Sequence, residues 1–432
     1  RNKLKTNYIK QAWMSLRQQP VVSIVSIIGT ALAIFLIMLV VMIDQVKYEP
    51  FAPESNRDRW LVQRGGSIGN KDWGDGNSNG PLGFNTIKQT LYRMETPEAV
   101  TAFVINTETA TVSVANQAAT AAQLLQTDDG FWRVFDFTVL SGKPYTKEDF
   151  DSGLPKAVIT ESTARKLFGT TDAVGRDFSI NYTPYTVSAV VEDVSNLVSY
   201  CYADIWVPFT STGKDKFRWC GYMGNLSMIM LAKDKSDFPK IREEYNRLFD
   251  ELDKEAALDG WYFIKRDRPY TQFVQAFTPY VNLEPDMDAV YREKFIIFLI
   301  LLIVPAVNLS SMTHSRLARR REEIGVRRAF GAKRSEIIGN LFIESLVITL
   351  IAGVIGLAMS LVSGVLFDEL IFRPQNFCDV YKVTSTSVWQ LFHWSTFGLA
   401  MLFCFILNLL SATVPTISAS RINIVNALTG KG

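Results

Sequence analysis

The residues best suited to chemistry in this 432-residue chain are two histidines, four cysteines and two pairs of adjacent acids. His314 and His393 each sit beside an apolar run, and the chain has no H-E-x-x-H turn that would place two imidazoles and a glutamate around a zinc ion. No two cysteines form a C-x-x-C pair. Cys404 lies inside an apolar run and reads as a small core or lipid-facing residue, while Cys201 and Cys220 fall in a stretch where an oxidising compartment would permit a disulfide that spacing does not establish. Glu192 with Asp193, and Asp128 with Asp129, could exchange protons, although such pairs are more commonly solvated turn residues. A phosphate loop needs Gly-Lys followed by Ser or Thr, and no Gly-Lys here is so followed. Nothing assembles a nucleophile with a base, so the chain reads as a non-enzyme without a metal or cofactor of its own.

The binding chemistry is concentrated in Arg316–Glu336. Arg319, Glu323 and Arg327 stand at i, i+4 spacing, a ladder that supports an exposed helix, and Gly331 is a natural break after Ala329 and Phe330. A short helix at a membrane surface with Phe330 among arginines suits insertion into a protein partner. A basic anchor on anionic lipid would account for the charge but not for the order Glu-Ile-Gly-Val-Arg-Arg-Ala-Phe-Gly-Ala.

The elements that must position this turn are apolar runs. The chain is 48% hydrophobic with a formal charge of +2, and its apolar residues are gathered into blocks. About 20 apolar residues cross a bilayer, which predicts spans at 21–43, 295–312, 338–367 and 392–414. The first is longer than a signal-peptide core and lacks a small-residue cleavage site before Asp44, so it reads as a retained anchor. The 1–20 segment and the 313–337 loop are rich in Lys and Arg, while the 368–391 loop is not, so the positive-inside rule places both termini and the 313–337 loop in the cytoplasm. Residues 44–294 then lie outside, the tail 415–432 inside. The fold class is a membrane protein with a four-helix transmembrane region and an α+β extracytoplasmic domain ending in a stalk.

Within that domain, alternating runs predict strands at Arg59–Gln63, Val100–Ile105, Thr109–Val114, Lys156–Thr160, Arg176–Ile180, Tyr185–Val191, Ile205–Val207 and Leu226–Leu231. Helices are predicted at Phe84–Met94, Glu161–Phe168 and Phe238–Lys254, and Gly65–Gly83 has the composition of a mobile loop. In the spans, Ala352, Gly356, Ser360 and Gly364 form a small-residue ridge, with Gly29 and Ala33 a shorter one; either suits contact with a second chain or packing within this one. Pro305 and Asn308 mark a hinge or a tolerated irregularity. Glu344 is the single intramembrane charge, expected to pair with Lys333 or Arg334. Tyr8–Gln19 reads as an interfacial helix with Trp13 at headgroup level.

Arg320–Gly356, reading RREEIGVRRAFGAKRSEIIGNLFIESLVITLIAGVIG, resembles the signature of the FtsX-type permeases of ABC transporters. VITESTARKLFGTTDAVGRDFSI (Val158–Ile180) with the following YTVSAVVEDV is similar to the periplasmic core domain of MacB-like proteins, and VPTISASRINIVNAL (Val414–Leu428) to their C-terminal end. The resemblance implies a permease, or mechanotransmission, subunit of the bacterial inner membrane, paired with an identical or related second permease chain. ATP and Mg would bind a separate cytoplasmic ABC ATPase, since only about twenty residues precede the first span. That ATPase would be gripped through Glu323, Gly325, Arg327, Arg328, Ala329, Phe330, Gly331, Ala332, Lys333 and Arg334. Efflux or envelope-substrate handling is the implied work, with a periplasmic adaptor and outer-membrane channel as further partners and no nucleic acid. The alternative is an FtsX-like signalling protein that activates a periplasmic partner without transport.

Overall fold

The computed structural model describes residues 14, 17, 20–195, 197–213, 221–278, 280–301, 303, 334–366 and 394–420. They fall into two units: a helical unit of residues up to Asp44 and from Asp288 onward, and a sheet unit of Gln45–Met287. Helix α1, Pro20–Tyr48, contributes its last turn to the sheet unit and the rest to the helical one.

The sheet unit contains strands β1 (Trp60–Gln63), β2 (Gly66–Asn70), β3 (Asn77–Gly80), β4 (Ala99–Val104), β5 (Glu108–Ser113), β6 (Thr120–Thr127), β7 (Val139–Gly142), β8 (Lys156–Thr160), β9 (Asp177–Ile180), β10 (Thr183–Val191), β11 (Ile205–Pro208), β12 (Leu226–Leu231), β13 (Trp261–Phe263) and β14 (Tyr270–Thr271). Its helices are α2 (Phe84–Gln89), α3 (Phe131–Val134), α4 (Lys147–Asp151), α5 (Glu161–Phe168), α6 (Phe238–Leu258) and α7 (Gln272–Ala276). Six strands close into a ring, β6-β5-β9-β10-β8-β11, because β11 pairs antiparallel with β8 and parallel with β6. Side chains such as Val112, Leu124, Ile159, Phe178, Val187 and Ile205 pack together in this part of the sheet. The parallel pair β8–β10 needs a crossover, which α5 supplies. Thr160 caps its start by accepting from the Thr163 N–H, and Gly169, at φ +72°, ends it in a left-handed turn that a side chain would strain.

From β6 the sheet continues as β4-β12-β1-β14. The LSMIML run of β12 and the WLVQ run of β1 are buried at every position, as strands covered on both faces must be. One face packs against α6, whose buried Ile241, Tyr245, Leu248, Phe249, Leu252 and Ala256 recur at helical spacing. The other face carries an aromatic cluster of Trp60, Phe103, Phe131, Phe135 and Trp206, in which the Phe131 and Phe135 rings lie 4.3 Å apart.

Gly65–Gly83 departs from its expectation as a loop. Residues 66–70 and 77–80 pair as a hairpin, which β13 extends to a three-stranded sheet, and β2 is buried throughout. The glycines serve close approach rather than mobility: a Cβ on Gly69 would stand 2.3 Å from the Tyr262 ring, and one on Gly65 2.3 Å from the Gly80 carbonyl oxygen.

In the helical unit α1 is joined by α8 (287–301), α9 (Arg334–Leu366) and α10 (Trp394–Ser420). Ala33, Ile34, Ile37 and Met38 of α1 form one cluster with Ala400 and Cys404 of α10, against which Phe298 and Leu301 of α8 and Leu357 of α9 pack. Ala352, Gly356, Ser360 and Gly364 are all buried along one stripe of α9. A Cβ on Gly356 would come within 2.7 Å of the Ala31 carbonyl oxygen and 3.0 Å of the Ile34 side chain, so at Gly356 α9 sits directly on α1 of the same chain. Ala33 is buried and Gly29 half-buried. The opposite face of α9 exposes Val354, Val362 and Leu366, an apolar surface that suits lipid and not water. Among the described residues, Ser23–Tyr48 and Phe342–Leu366 are long and apolar enough to cross a membrane, and Trp394–Ile406 is a shorter apolar helix.

Candidate coupling site

Helix α1 runs five residues past the expected end of the first span, through Asp44, Gln45 and Lys47, and stops where Pro50 follows Glu49. Its final carbonyls lack helical partners and would be costly to bury unpaired. Arg57 supplies the donors: its Nη1 donates to the Val46 oxygen at 2.6 Å and to the Glu49 oxygen at 3.0 Å. A cation at a helix C-terminus also opposes the helix dipole favourably.

Arg57 is wholly buried, and every direction of its guanidinium is occupied. Nε donates to Glu54 Oε2 at 2.6 Å, Nη2 lies 2.5 Å from the same oxygen, and Nη2 donates to Ser199 Oγ at 3.1 Å. The Phe51 ring centroid lies 4.4 Å from its central carbon. Glu54 is equally buried, and its Oε1 accepts from the backbone N–H groups of Tyr200 at 2.6 Å and Cys201 at 3.2 Å. Such a pair is costly to desolvate, and removing one partner from it costs about 3–5 kcal/mol because the other charge is stranded.

A second set of contacts holds the same turn from α7. The Tyr48 ring meets Phe273 edge-on with centroids 5.0 Å apart, and Gln272 Nε2 donates to the Lys47 oxygen at 2.8 Å. Tyr200 closes the circuit by donating to Gln272 Oε1 at 3.0 Å, and burial pushes its hydroxyl pKa up to about 12, so it stays a donor. Burial and the neighbouring Glu54 charge likewise raise the Cys201 thiol. In the helical unit, Asp44 of α1 pairs with Lys294 of α8 at 2.6 Å.

Of the sequence-predicted coupling residues, Glu323, Gly325, Arg327, Arg328, Ala329, Phe330, Gly331, Ala332 and Lys333 lie outside the described residues, and Arg334 begins α9. Pro305 and Asn308 also lie outside them, as does Tyr8–Gln19 apart from Met14 and Arg17. Glu344 is buried in α9; Lys333 and the Arg334 side chain, its expected partners, fall outside the description.

The disulfide left open at Cys201 finds no partner among the described residues: its thiol is free and fully buried in the aromatic core, and Cys220 lies outside the description. One reading is corrected. Asp128 is not a solvated turn residue: it is buried, and its carboxylate accepts from Thr101 Oγ1 at 2.6 Å, the Ala102 N–H at 2.7 Å, Tyr92 OH at 2.8 Å and the Phe131 N–H at 3.1 Å. That set ties β4 to the start of α3. Glu192 and Asp193 are exposed as expected, with Asp193 Oδ1 accepting from the Ser162 N–H at 3.0 Å.

Glu54 and Arg57 were not singled out from sequence. The available signal was an acid and an arginine three apart, set among Phe51 and two prolines directly after a span. Their backbone partners at 200 and 201 are too distant in sequence to be inferred from it.

The family profile described as MacB-like periplasmic core domain matches residues 23–248, and that described as FtsX-like permease C-terminal matches 295–424. The macrolide export ATP-binding/permease protein MacB of Hahella chejuensis is 24% identical over 88% of this chain and 55% of its own length. An uncharacterized ABC transporter permease of Bacillus subtilis, YknZ, is 22% identical over 70% of this chain and 68% of its own. The chain thus spans about half the length of that MacB relative. The extracellular domain of a YknZ transporter from Gram-positive bacteria, known as a crystal structure, shares 20% identity over 42% of this chain and 89% of that domain, with a TM-score of 0.32.

Proposed function

The chain belongs to the family of permeases that carry a MacB-like periplasmic core domain and an FtsX-like C-terminal region, membrane proteins with an extracytoplasmic domain, and from that premise we propose that it transmits work across the membrane. In this reading four spans place both termini in the cytoplasm, and the 313–337 loop docks on a separate ABC ATPase that binds ATP and Mg. Phe330 inserts into that ATPase while Arg327, Arg328, Lys333 and Arg334 meet its acidic rim. A second permease chain completes the assembly. Efflux, or another handling of envelope substrates, is the work delivered, which the macrolide-export names of several relatives favour.

The observation that carries the reading is the buried Glu54–Arg57 clasp. A helix that only anchors a domain needs no such grip, and a loose tether would serve. Here the last turn of α1 is bonded through its own carbonyls, so an axial or rotational displacement of α1 is delivered to the β1 side of the sheet unit without slack. The small-residue seam along Gly356 gives α9 a close hold on α1, and α9 is the helix that the coupling loop leads into.

The reading is tested by isolating the full chain from its native membranes together with the ABC ATPase that co-purifies with it. Phe330→Ala combined with Arg328→Ala is expected to abolish co-purification while leaving the permease folded. Undiminished binding of the ATPase to that variant would refute the docking assignment.

A further inference from the structure

Between α6 and the segment Ile264–Arg268 the sheet unit holds a cleft of about 530 Å³, within the roughly 300–1,000 Å³ typical of small-molecule sites. Its apolar surface is small, limited to the half-buried Ile264 and an edge of the nearly buried Phe249, and the buried Tyr245 hydroxyl is already committed, donating to Gln63 Oε1 at 2.6 Å.

Its charge is unbalanced. Arg242, Lys265, Arg266 and Arg268 line it against only Asp250 and Asp267. Lys265 is paired with Asp250, which leaves three guanidiniums and the exposed Asp267. None of the three arginines forms an ion pair among the described residues. Arg242 donates to the Pro269 carbonyl at 3.2 Å, Arg266 to that of Asn282 and Arg268 to that of Val281. Those neutral acceptors tie down part of each fork. A purely structural role in pinning residues 281–282 would be met by them, yet the Arg266 Nε is buried with no acceptor among the described residues. An unmet buried donor is costly, and a ligand acceptor would relieve it.

Two further features agree. Burial and the neighbouring Arg266 charge lower the Arg268 pKa, so the two guanidiniums repel each other across the cleft. Asp267, between them in sequence, is held at φ +52°, a left-handed conformation that a non-glycine residue adopts at some energetic cost.

We propose that this cleft binds a small organic anion, its carboxylate or phosphate held by Arg242, Arg266 and Arg268. Arginine forks match both anions by paired hydrogen bonds. The site does not depend on the coupling reading, since all its residues lie in the sheet unit and none belongs to the clasp.

The test uses the full chain in nanodiscs of zwitterionic lipid, titrated calorimetrically with N-acetyl-L-phenylalanine, phenyl phosphate and the neutral N-acetyl-L-phenylalaninamide. At least one anion should bind, with the amide weaker by about tenfold or more. Binding of the carboxylate alone or the phosphate alone supports the site and identifies its anion. Arg266→Gln should weaken the anion by a similar factor, Arg266→Lys should recover part of it, and Arg247→Gln, in an ion pair with Glu251 away from the cleft, should change nothing. Arg242→Gln serves as the second variant if Arg266→Gln fails to fold. Equal binding of amide and anions, wild-type affinity in both arginine variants, or no anion binding up to about 10 mM would overturn the proposal.

Discussion

Arg57 and Arg266 sit in the same sheet unit and are both partly or wholly withdrawn from water, yet they are treated in opposite ways. Arg57 meets a carboxylate, two helix carbonyls, a serine hydroxyl and an aromatic face, so its bonding capacity is spent inside the chain. Arg266 meets one backbone carbonyl and keeps a buried Nε idle beside another guanidinium. A saturated arginine holds structure, whereas an unsaturated one in a cleft is prepared for something that comes and goes. The contrast separates the part of this unit that holds the last turn of α1 from the part proposed to take a ligand.

The comparison can be broken by mutation. Arg57→Ala should strand Glu54 and cost about 3–5 kcal/mol, seen as a large fall in the unfolding temperature of the sheet unit, whereas Arg266→Ala should cost at most about 1 kcal/mol or stabilise. If the two losses were equal, the distinction between grip and binding cleft would fail.

A paired replacement sharpens it further. Glu54→Leu with Arg57→Met removes both charges, so its cost should be well below the sum of the single changes, by about 2 kcal/mol or more. An additive double-mutant cycle would mean that the two groups do not form one unit.

The helical unit offers a third contrast, since its seam holds by shape alone. Gly356→Leu should force α9 off α1 and cost about 1–3 kcal/mol by overpacking, read as a lower melting temperature in nanodiscs, while Val354→Leu on the exposed face of α9 should change little. A harmless Gly356→Leu would remove the seam from the account.

A contrast read through pH concerns Asp128, whose pKa burial raises from an ordinary 3.8 to about 7 against the opposing hydrogen bonds from Thr101, Ala102 and Tyr92. The folded state therefore holds this proton over a range where the unfolded chain releases it. The stability it contributes is full below the ordinary value and is lost as pH rises through about 7. Asp128→Asn should flatten the decline in unfolding free energy between about pH 4 and about pH 7; an unchanged slope would show that Asp128 does not cause it.

Much of the fold was legible because it follows period. β8, β12 and α5 start and stop at the expected residues, the two strands as short apolar runs bounded by turns and the helix as an amphipathic stripe bounded by its caps. The hairpin of β2 and β3 was hidden because its glycines, needed for close approach to Tyr262 and Gly80, are also the commonest loop residues. β6 was hidden because TAAQLLQT alternates poorly, its burial arising from pairing with β5 on one side and β11 on the other. The ridge on α9 was visible as small residues at intervals of four, but only the approach of Gly356 to Ala31 shows which helix it meets. The clasp was invisible for a different reason: a buried ion pair looks like any exposed acid and arginine until the 142 residues separating Arg57 from Ser199 are folded away.

The central claim is that α1 delivers nucleotide-driven motion to the sheet unit through Glu54 and Arg57. It is tested most directly by electron–electron distance measurement between spin labels on the exposed positions Arg17 and Tyr182, with Cys220 and Cys378 replaced by serine, in the full chain assembled with its ATPase. ATP should shift the distance distribution in the parent chain and leave it unmoved in Glu54→Leu/Arg57→Met, which still binds the ATPase. A variant that follows ATP as the parent does, or a parent that does not respond to ATP, would contradict the claim.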